Sequence, residues 1–459
     1  TIAQQSLTGW VNPFIGTGGH GHTFPGPSLP FGMIQPGPDT RLEGWDGCSG
    51  YHFSDSIIYG FSHTHLSGTG VSDYGDILLM PVTSGNSFSN KPDETNSYPS
   101  LFRKSSEEAS PGYYKVFLEK PGVVAELTTT QRTGIHRYTF STDSEKYLLL
   151  DLNHRDEVLF AMLKQVDDNT FLGARFSSQW ANDQRLYFAI RFSQPVGKVL
   201  VDDGKIFSGR IAKEEKGFAV SFSFPGNSSD TLIVYVGISA VDEMGALNNL
   251  KSETGNQGFD HYRGKADSVW VKALSKIIVE GGTGKEKTIF YTALYHAMLA
   301  PNLYSDADGR YRGRDKEIYT AEGFNYYTVF SLWDTYRATH PLFTIIEQER
   351  TGHFIQTLLK QYQQGGRLPV WELSSCETEC MIGYHAVSVI NDAWQKGIRS
   401  YDEEVALDAM VSAANHKPFG VKELKHFGYI PGNIEGESVS RTLEYAYDDW
   451  TIAQIAKKA

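Results

Sequence analysis

The stretch Phe218-Ala219-Val220-Ser221-Phe222-Ser223-Phe224 decides the fold class of the first half of the chain, because large apolar residues occupy every second position. Successive side chains of a strand point to opposite faces of a sheet. A period of two therefore predicts a β-strand that places Phe218, Val220, Phe222 and Phe224 on a core.

Segments of the same character recur on either side of this stretch, between about residues 76 and 239. Pro121-Gly122 is a turn signal between two of them and predicts a β-hairpin. The predicted strands are 75–80, 114–118, 123–128, 146–152, 186–192 and 231–238. Many short strands with turns between them are typical of a β-sandwich or barrel. We predict a β-sandwich domain over residues 1–257.

The pattern becomes helical beyond Gly258. Trp270, Leu274 and Ile277 recur at three to four residues and predict a helix in a linker region at 258–283. An apolar stripe then predicts a helix that ends before Pro301. The stripe consists of Ile289, Phe290, Ala293, Leu294, Ala297 and Met298. Further helices are predicted at 328–339, 344–362, 384–397, 402–415 and 437–458, which places a helical domain at 284–459.

The last predicted helix keeps one apolar face almost to the end of the chain, at Lys457-Lys458-Ala459. That face consists of Val439, Leu443, Ala446, Tyr447, Trp450 and Ala453. A wide apolar face in water is avoided by soluble domains. We expect either further residues beyond Ala459 or a second chain to cover it.

Length and composition set limits on the class of protein. The 459 residues are too many for one hydrophobic core and indicate two domains. The net charge of −12 argues against nucleic acid as a partner, because phosphate binding needs clustered Lys and Arg. No apolar run is long enough to predict a transmembrane segment. Three cysteines are too few for a disulfide scaffold, although Cys376 and Cys380 are spaced closely enough to form a bridge.

Two glycine-rich segments of the first domain contain side chains suited to binding. In the first, four glycines among seven residues let the backbone approach a ligand, and the loop contains Gly19 and His20. In the second, Trp45 precedes a carboxylate and Cys48 follows, so an indole face and a hydrogen-bond acceptor stand together. Sugars are bound by such pairs. Each segment has a structural alternative, a tight loop or a turn with a satisfied Asp.

The helical domain has two segments of the same kind. Trp333 and Asp334 stand near the start of a predicted helix, where a carboxylate is electrostatically favoured. Arg337 is three residues on, so the alternative for Asp334 is an ion pair with Arg337 on one helix face. The segment 371–385 is dense in carboxylates, including Glu372 and Glu377, and follows a Gly-Gly-Arg-Leu-Pro loop.

Taken in order, these motifs resemble the glycoside hydrolase family 92 α-mannosidases. The matching residues are Asn12-Pro13-Phe14-Ile15-Gly16-Thr17-Gly18-Gly19, Phe24-Pro25-Gly26-Pro27, Pro30-Phe31-Gly32-Met33, Gly50-Tyr51-His52, Gly60-Phe61-Ser62-His63-Thr64-His65-Leu66-Ser67-Gly68-Thr69-Gly70, Ser331-Leu332-Trp333-Asp334-Thr335-Tyr336-Arg337 and Met381-Ile382-Gly383-Tyr384-His385. The resemblance runs from about residue 10 to residue 450.

The resemblance implies a β-sandwich joined by helices to an (α/α)6 barrel, with the site between the two domains. It implies a Ca²⁺-dependent exo-α-mannosidase that acts with inversion, in which calcium bridges two sugar hydroxyls. Trp333 and Asp334 match the motif that holds the terminal mannose, and His20 and the glycine loop are expected to cover the same sugar. We predict that these residues bind substrate together with Gly19, Trp45, Cys48, Arg337, Glu372 and Glu377.

The chain also departs from the family pattern. The general acid of the family is a Glu and the general base an Asp, and both are expected beyond Ala459, as are most calcium ligands. About six helices are predicted here, whereas the barrel has twelve. We therefore assign neither an acid, a base nor a metal ligand within this chain.

The similar enzymes come from gut Bacteroides-type bacteria and trim mannose from N-glycans and yeast mannan. A secreted, periplasmic or cell-surface location in a bacterium follows as the expectation. Two other classes of function stay open. One is another inverting (α/α)6 glycosidase or a sugar phosphorylase, and the other is a carbohydrate-binding fragment without catalysis.

Overall fold

A computed structural model describes residues 6–141, 145–225, 230–416 and 419–457. The chain forms two compact units. The first, here called the β unit, comprises Thr1–Asn302 and Asp306–Asp308, and the second, the helical unit, comprises Leu303–Ser305 and Gly309–Ala459. Lys458 of the last predicted helix and Ala459 lie outside the described residues.

The β unit contains two large antiparallel sheets. Its strands are β1 (Gly37–Asp39), β2 (Ile57–Ile58), β3 (Gly60–Ser62), β4 (Leu78–Val82), β5 (Ser100–Leu101), β6 (Glu108–Ser110), β7 (Tyr113–Leu118), β8 (Val123–Thr129), β9 (Thr133–Phe140), β10 (Lys146–Asp151), β11 (Glu157–Gln165), β12 (Thr170–Ser178), β13 (Gln184–Phe192), β14 (Val199–Val201), β15 (Arg210–Glu214), β16 (Ala219–Phe224) and β17 (Thr231–Ser239). A six-stranded sheet has the order β1-β3-β4-β10-β16-β14, and a nine-stranded sheet has the order β15-β11-β12-β13-β17-β9-β8-β7-β6.

The two sheets pack against each other through aromatic side chains. Phe222 of β16 lies 4.9 Å from Phe171 of β12 and 5.0 Å from Phe192 of β13, measured between ring centroids. The predicted strand around Phe222 is thus confirmed, and so is the hairpin, in which β7 pairs with β8 across Pro121-Gly122. One expectation was incomplete: all six residues of β16 are buried, so both of its faces are covered.

Three helices complete the β unit: α1 (Glu243–Glu253), α2 (Phe259–Leu274) and α3 (Gly284–Ala297). Residues of α1 and α2 share a core with the nine-stranded sheet, including Leu250, Tyr262 and Leu172. Leu172 follows Phe171 directly, so adjacent side chains of β12 serve opposite faces. Helix α1 was not predicted, and the predicted linker helix extends too far, because Ile277 lies outside α2.

The apolar stripe predicted for α3 is wrong in part. Ile289 is 54% exposed, and the buried side of the helix is formed by Tyr291, Thr292, Leu294 and Tyr295. Two tyrosines and a threonine, which the stripe left out, therefore provide much of the contact. Thr283 begins the helix with a capping box that uses Glu286, which satisfies amides at the first turn.

The helical unit consists mainly of helices and of short strands that form sheets of two or three strands. Its strands are β19 (Arg310–Arg312), β20 (Ile318–Thr320), β21 (Tyr327–Thr328), β22 (Phe330–Ser331), β23 (Trp371–Leu373) and β24 (Cys376–Glu377), after β18 (Asn302–Leu303) at the junction of the two units. Its helices are α4 (Leu332–Thr335), α5 (Thr339–Ile346), α6 (Gln348–Gly365), α7 (Ala386–Gln395), α8 (Glu403–Ala414), α9 (Val421–Phe427) and α10 (Ser438–Ala456). The helices predicted at 384–397, 402–415 and 437–458 are confirmed as α7, α8 and α10.

Two helix predictions fail for local reasons. The helix predicted at 328–339 is β21, β22 and the single turn α4, because Val329 has a positive φ of 66° that interrupts a helix. The helix predicted at 344–362 is divided at Glu347, whose φ of −135° and ψ of 47° are not helical. Helix α9 was not predicted. The (α/α)6 barrel itself stays a prediction.

Helix α10 is amphipathic in a way that the sequence pattern did not reveal. Its buried residues are Tyr445, Asp448, Thr451, Ile452 and Ile455. The apolar face that the sequence predicted to lack a partner within the chain is largely exposed, as expected: Val439 at 73%, Leu443 at 66%, Tyr447 at 40% and Trp450 at 57%. What covers it stays a prediction. Within the described ranges, no helix is both long enough and apolar enough to cross a bilayer.

Candidate functional site

The β unit places Trp45, Gly19 and His20 in neighbouring loops, where an indole and an imidazole are accessible. Trp45 is 58% exposed and begins a short 3-10 turn, Trp45–Gly47. Its ring meets the ring of His22 edge-on at 4.1 Å between centroids, and the ring of His20 lies 5.3 Å away. Gly19 has a φ of 59° and open space where a Cβ would stand, and its carbonyl oxygen is 3.2 Å from Nε2 of His52.

Asp46 connects this cluster. Its Oδ1 is 2.6 Å from Nδ1 of His20 and 3.6 Å from Nε2 of His22. The hydrogen bond with His20 is the main reason that the pKa of Asp46 lies below its ordinary value. A carboxylate that stays ionised beside an exposed indole is a strong acceptor for hydroxyl groups.

Cys48 lies beneath the exposed surface of the Trp45 loop and stabilises the loop from inside. It is 2% exposed, and its Sγ donates to the carbonyl oxygen of Thr69 at 3.0 Å. Burial raises the pKa of the Cys48 thiol, which keeps it protonated and suits a donor. The thiol thus ties the Trp45 loop to the loop around Thr69. The predicted contact of Cys48 with substrate stays a prediction.

A buried network of charged and imidazole side chains stabilises the Trp45 loop through its backbone. Arg155 donates from Nη2 to the carbonyl oxygens of Gly47 at 3.0 Å and Cys48 at 3.4 Å, and its Nη1 is 3.8 Å from Asp39. Asp39 is fully buried and lies 3.2 Å from both His65 and His154. Burial alone would raise the pKa of Asp39, but the charges and hydrogen bonds of the two histidines outweigh it and hold that pKa well below its usual range.

The histidines of the His63-x-His65 motif are buried and hydrogen-bonded. His63 Nδ1 is 2.7 Å from the carbonyl oxygen of Ile77, and its Nε2 is 2.9 Å from Nε2 of His136. In the ranges that the structure describes, no group of three or more His, Cys, Asp or Glu side chains is arranged to hold a metal ion. The described residues therefore offer no such cluster of side chains for Ca²⁺, and we derive no chemical step through calcium.

The helical unit presents Trp333 and Asp334 on the one-turn helix α4. Trp333 is 37% exposed, and Asp334 is exposed and accepts a short hydrogen bond from the hydroxyl of Ser331. The predicted alternative, an Asp334–Arg337 ion pair, is not formed. Arg337 lies beyond the end of α4 and instead donates from Nη2 to Glu444 at 2.6 Å.

Glu372 and Glu377 lie on adjacent strands and are bound to the backbone. Glu372 is fully buried, and its carboxylate accepts from the hydroxyl of Thr328 and the amide of Ser375. Burial raises the pKa of Glu372 to about 7. Glu377 accepts from three backbone amides, at 2.8–2.9 Å. Both carboxylates organise the 370–379 loop, and their predicted contact with substrate stays a prediction.

The structure also brings together residues that the sequence analysis did not select. Tyr336, His385, Glu444 and Asp448 form a contiguous polar cluster in the helical unit. Tyr336 and His385 stand in motifs that carry the family resemblance, whereas Glu444 and Asp448 were visible only as polar residues of a predicted helix. Cys376 and Cys380 are both free, so the bridge that their spacing permits is not formed.

Comparison with known proteins gives a consistent result. Residues 10–239 match the model of the Glycosyl hydrolase family 92 N-terminal domain, and residues 245–459 match that of the Glycosyl hydrolase family 92 catalytic domain. A family GH92 α-mannosidase from Bacteroides thetaiotaomicron has a similar structure, with a TM-score of 0.95 and 38% identity over 99% of this chain and 63% of that one. It has also been solved in complex with mannoimidazole.

Two further proteins extend the comparison. A family GH92 inverting mannosidase from the same bacterium is 27% identical, with a TM-score of 0.89, over 100% of this chain and 63% of that one. A protein from Arthroderma benhamiae described as an uncharacterized secreted glycosidase is 26% identical over 98% of this chain and 59% of its own length. The chain thus spans about three fifths of the length of these relatives.

Proposed function

The chain belongs to glycosyl hydrolase family 92, and from that membership we propose that the protein is an exo-acting α-mannosidase that hydrolyses terminal α-mannosides with inversion. The α-mannosidase at 38% identity supports the substrate, and its complex with mannoimidazole shows that it takes a mannose-like ring. The mannosidase at 27% identity is an inverting enzyme. Because these relatives are longer than this chain, the activity is proposed for the whole protein.

The exposed Trp333–Asp334 turn carries the proposal in the structure. A sugar ring has an apolar face of CH groups and an edge of hydroxyls, so it is bound by an aromatic face beside an acceptor. Trp333 provides the face, and the exposed carboxylate of Asp334 provides the acceptor. Trp45 and Asp46 repeat this combination in the β unit.

Cleavage of a glycosidic bond generally requires two carboxyl groups, one that gives a proton and one that activates water. Neither role is assigned here. Glu372, whose raised pKa would suit an acid, is fully buried and engaged by Thr328 and Ser375. The described residues would bind and orient the sugar. Holding a substrate in a fixed orientation lowers the activation barrier of a reaction.

Calcium dependence is part of the proposal and rests on the resemblance alone. A bound Ca²⁺ would supply charge to hold sugar hydroxyls, and it takes six to eight oxygen ligands. We name no ligand for it. A chelator that abolishes turnover, with recovery on addition of Ca²⁺ and not Mg²⁺, is the expected result, and full activity after exhaustive chelation would contradict it.

For the substrate we propose terminal mannose of N-glycans or mannan, and for the location outside the cytoplasm, either secreted, periplasmic or at the surface of a bacterial cell. The relative from Arthroderma benhamiae, described as a secreted glycosidase, supports the location. Mass analysis of glycans before and after incubation tests the substrate. Loss of single hexose units from α-mannosidic ends is expected.

The central experiment compares aryl α-mannoside with aryl α-glucoside and measures the anomer first released. Turnover of the mannoside with the β-anomer formed first is expected. Turnover of the glucoside, or dependence on phosphate, would favour a different glycosidase or a phosphorylase. Binding of mannoimidazole without turnover of any mannoside would favour a carbohydrate-binding protein.

Asp334→Ala tests the site itself. We expect kcat/KM for aryl α-mannoside to fall at least about 100-fold, because the variant loses a charged hydrogen bond to the sugar. Asp203→Asn is the matched control, since Asp203 is an exposed carboxylate whose partner is Lys205. Unchanged kinetics of Asp334→Ala would refute its role.

A further inference from the structure

The turn that carries Trp333 and Asp334 cannot hold its own position. Helix α4 has four residues, and its N-cap residue Ser331 makes no capping hydrogen bond from its side chain. One helical turn is unstable alone, because nucleation orders several residues for a single hydrogen bond. Within the turn, the amide of Tyr336 donates to the carbonyl of Leu332 at 3.0 Å and the hydroxyl of Thr335 donates to the carbonyl of Ser331 at 2.8 Å. The hydroxyl of Ser331 also donates to Asp334. Contacts from elsewhere must therefore fix the turn.

The residue before the turn, Ser331, is paired with Trp371 of β23, and Glu444, on α10, contacts the residues that follow the turn. Its Oε2 accepts from the hydroxyl of Tyr336 at 3.0 Å, and its Oε1 accepts from Nη2 of Arg337 at 2.6 Å. The Nε of Arg337 also donates to the Tyr336 hydroxyl at 2.6 Å. One carboxylate thus holds the two residues that follow α4, and Glu444 is 17% exposed at its side chain.

The position of Glu444 is itself supported from the interior. Nε2 of His385 is 3.2 Å from Oε2 of Glu444, an electrostatic contact outside hydrogen-bond geometry. Nδ1 of His385 is 2.9 Å from Oδ1 of the fully buried Asp448. The imidazole also stacks on the ring of Tyr336, with centroids 3.9 Å apart and planes 17° apart. Histidine held between two carboxylates is strongly oriented.

The glycine of the Met381–His385 motif has a role in this support. Gly383 has a φ of 84°, and a Cβ there would stand 2.3 Å from Nε2 of His385. Only glycine therefore lets the backbone pass the imidazole at this distance. The same segment donates the amide of Tyr384 to Asp448 at 2.9 Å, so backbone and side chain converge on one carboxylate.

We propose that Glu444 is a positioning residue for the terminal sugar: through Tyr336 and Arg337 it holds the turn that presents Trp333 and Asp334, and His385 and Asp448 keep Glu444 in place. The role of Glu444 in sugar binding rests on the proposed function, whereas its anchoring of the turn does not.

The test uses Glu444→Gln in the intact protein, with two measurements. The first is hydrogen–deuterium exchange of the peptide that covers residues 332–337. We expect exchange there to rise at least about tenfold, because the turn loses charged hydrogen bonds, while exchange in α8 is unchanged. The second is kcat/KM for aryl α-mannoside, which we expect to fall roughly 10- to 100-fold, as displaced binding groups do.

The matched control is Asp392→Asn. Asp392 and Glu444 border the same open cavity of about 620 Å³, but the carboxylate of Asp392 pairs with Lys396 of its own helix. Neither measurement should change in this variant. A double-mutant cycle with Tyr336→Phe separates positioning from general destabilisation. The two substitutions should be non-additive in kcat/KM at a temperature where every variant is folded.

The outcomes are distinct. Unchanged exchange at residues 332–337 in Glu444→Gln overturns the anchoring, whatever the activity. Raised exchange with unchanged kcat/KM, or effects that add with Tyr336→Phe, overturns the role in sugar binding and leaves the proposed function standing. If the wild-type protein turns over no α-mannoside, the proposed function fails, and the exchange measurement still decides whether Glu444 holds the turn.

Discussion

The buried ion pair between Asp76 and Arg175 gives the sharpest prediction for the stability of the β unit. Both side chains are fully buried, and Nη1 of Arg175 is 2.5 Å from Oδ1 of Asp76. The other oxygen, Oδ2, accepts from Thr64 at 2.8 Å and Gln184 at 2.6 Å. Asp76→Asn keeps the size of the side chain but removes the charge and places an amide NH₂ against one or more donors.

The expected loss follows from these contacts. Removing one partner of a buried pair leaves an uncompensated charge and costs about 3–5 kcal/mol. The β unit has about 300 residues, and unfolding entropy is about 2.1 cal/mol/K per residue. The midpoint of thermal unfolding should therefore fall by roughly 5–8 °C. Differential scanning calorimetry measures this directly.

The exposed ion pair between Asp203 and Lys205 provides the control. Asp203→Asn removes an exposed carboxylate 2.9 Å from Lys205, and it should change the midpoint by less than about 1 °C, as exposed pairs contribute little. If Asp76→Asn costs less than about 1 kcal/mol, then the desolvation argument is wrong for this site.

Three other predictions concern single positions. Glu372→Gln should become relatively more stabilising as pH rises from about 4.5 to 7, by about 3 kcal/mol in all. The reason is that the folded wild type keeps a proton on Glu372 up to its raised pKa of about 7 and the unfolded chain does not; denaturant titrations at several pH values that run parallel would contradict it. Gly383→Ala should destabilise the helical unit by more than about 2 kcal/mol, from steric overlap as well as positive φ. Gly366 has a φ of 78° but open space where a Cβ would stand, so Gly366→Ala should cost only about 1 kcal/mol when both variants are compared by thermal unfolding. Equal losses of stability in the two variants would show that steric overlap at Gly383 has no effect. Burial lowers the pKa of His63 to about 4 and that of His136 well below its ordinary value, so both are neutral when folded. The free energy of unfolding should then decrease as the pH falls from 6.5 toward 4, by about 1.4 kcal/mol per pH unit for each of the two histidines. His136→Asn should remove the contribution of one histidine from the measured slope.

The β unit could be predicted where local chemistry decided its structure. Pro121-Gly122 is a local turn signal that predicts a hairpin, and β7 and β8 pair across it. Strand β12 was missed because one of its faces meets the other sheet and the opposite face meets helix α1. Phe171 and Leu172 are both buried for this reason, and a strand with two buried faces shows no alternation.

The candidate site likewise contains some residues that could be predicted from the sequence and others that could not. Trp45, Trp333 and Asp334 were selected because an aromatic residue beside a carboxylate can be recognised within a few residues of sequence. Glu444 was not selected, since it stands 107 residues from Arg337 in sequence and on a helix whose pattern suggested only packing. The exposed apolar face of that helix was predicted, but its buried side was not, because that side carries polar groups such as Asp448, which a hydrophobic stripe cannot reveal.

The two units present their indoles by the same physical arrangement, and this bears on affinity. Trp45 and Trp333 each stand on a single turn, which is too short to be rigid by itself. Arg155 in one unit and Glu444 in the other fix the turn through charged hydrogen bonds, each backed by further buried charges. The free energy that orders each indole thus comes from folding of the unit rather than from contact with a ligand. A sugar that binds such a preordered face loses little affinity to ordering the protein, so weakening either anchor should reduce affinity even where the indole itself is unchanged.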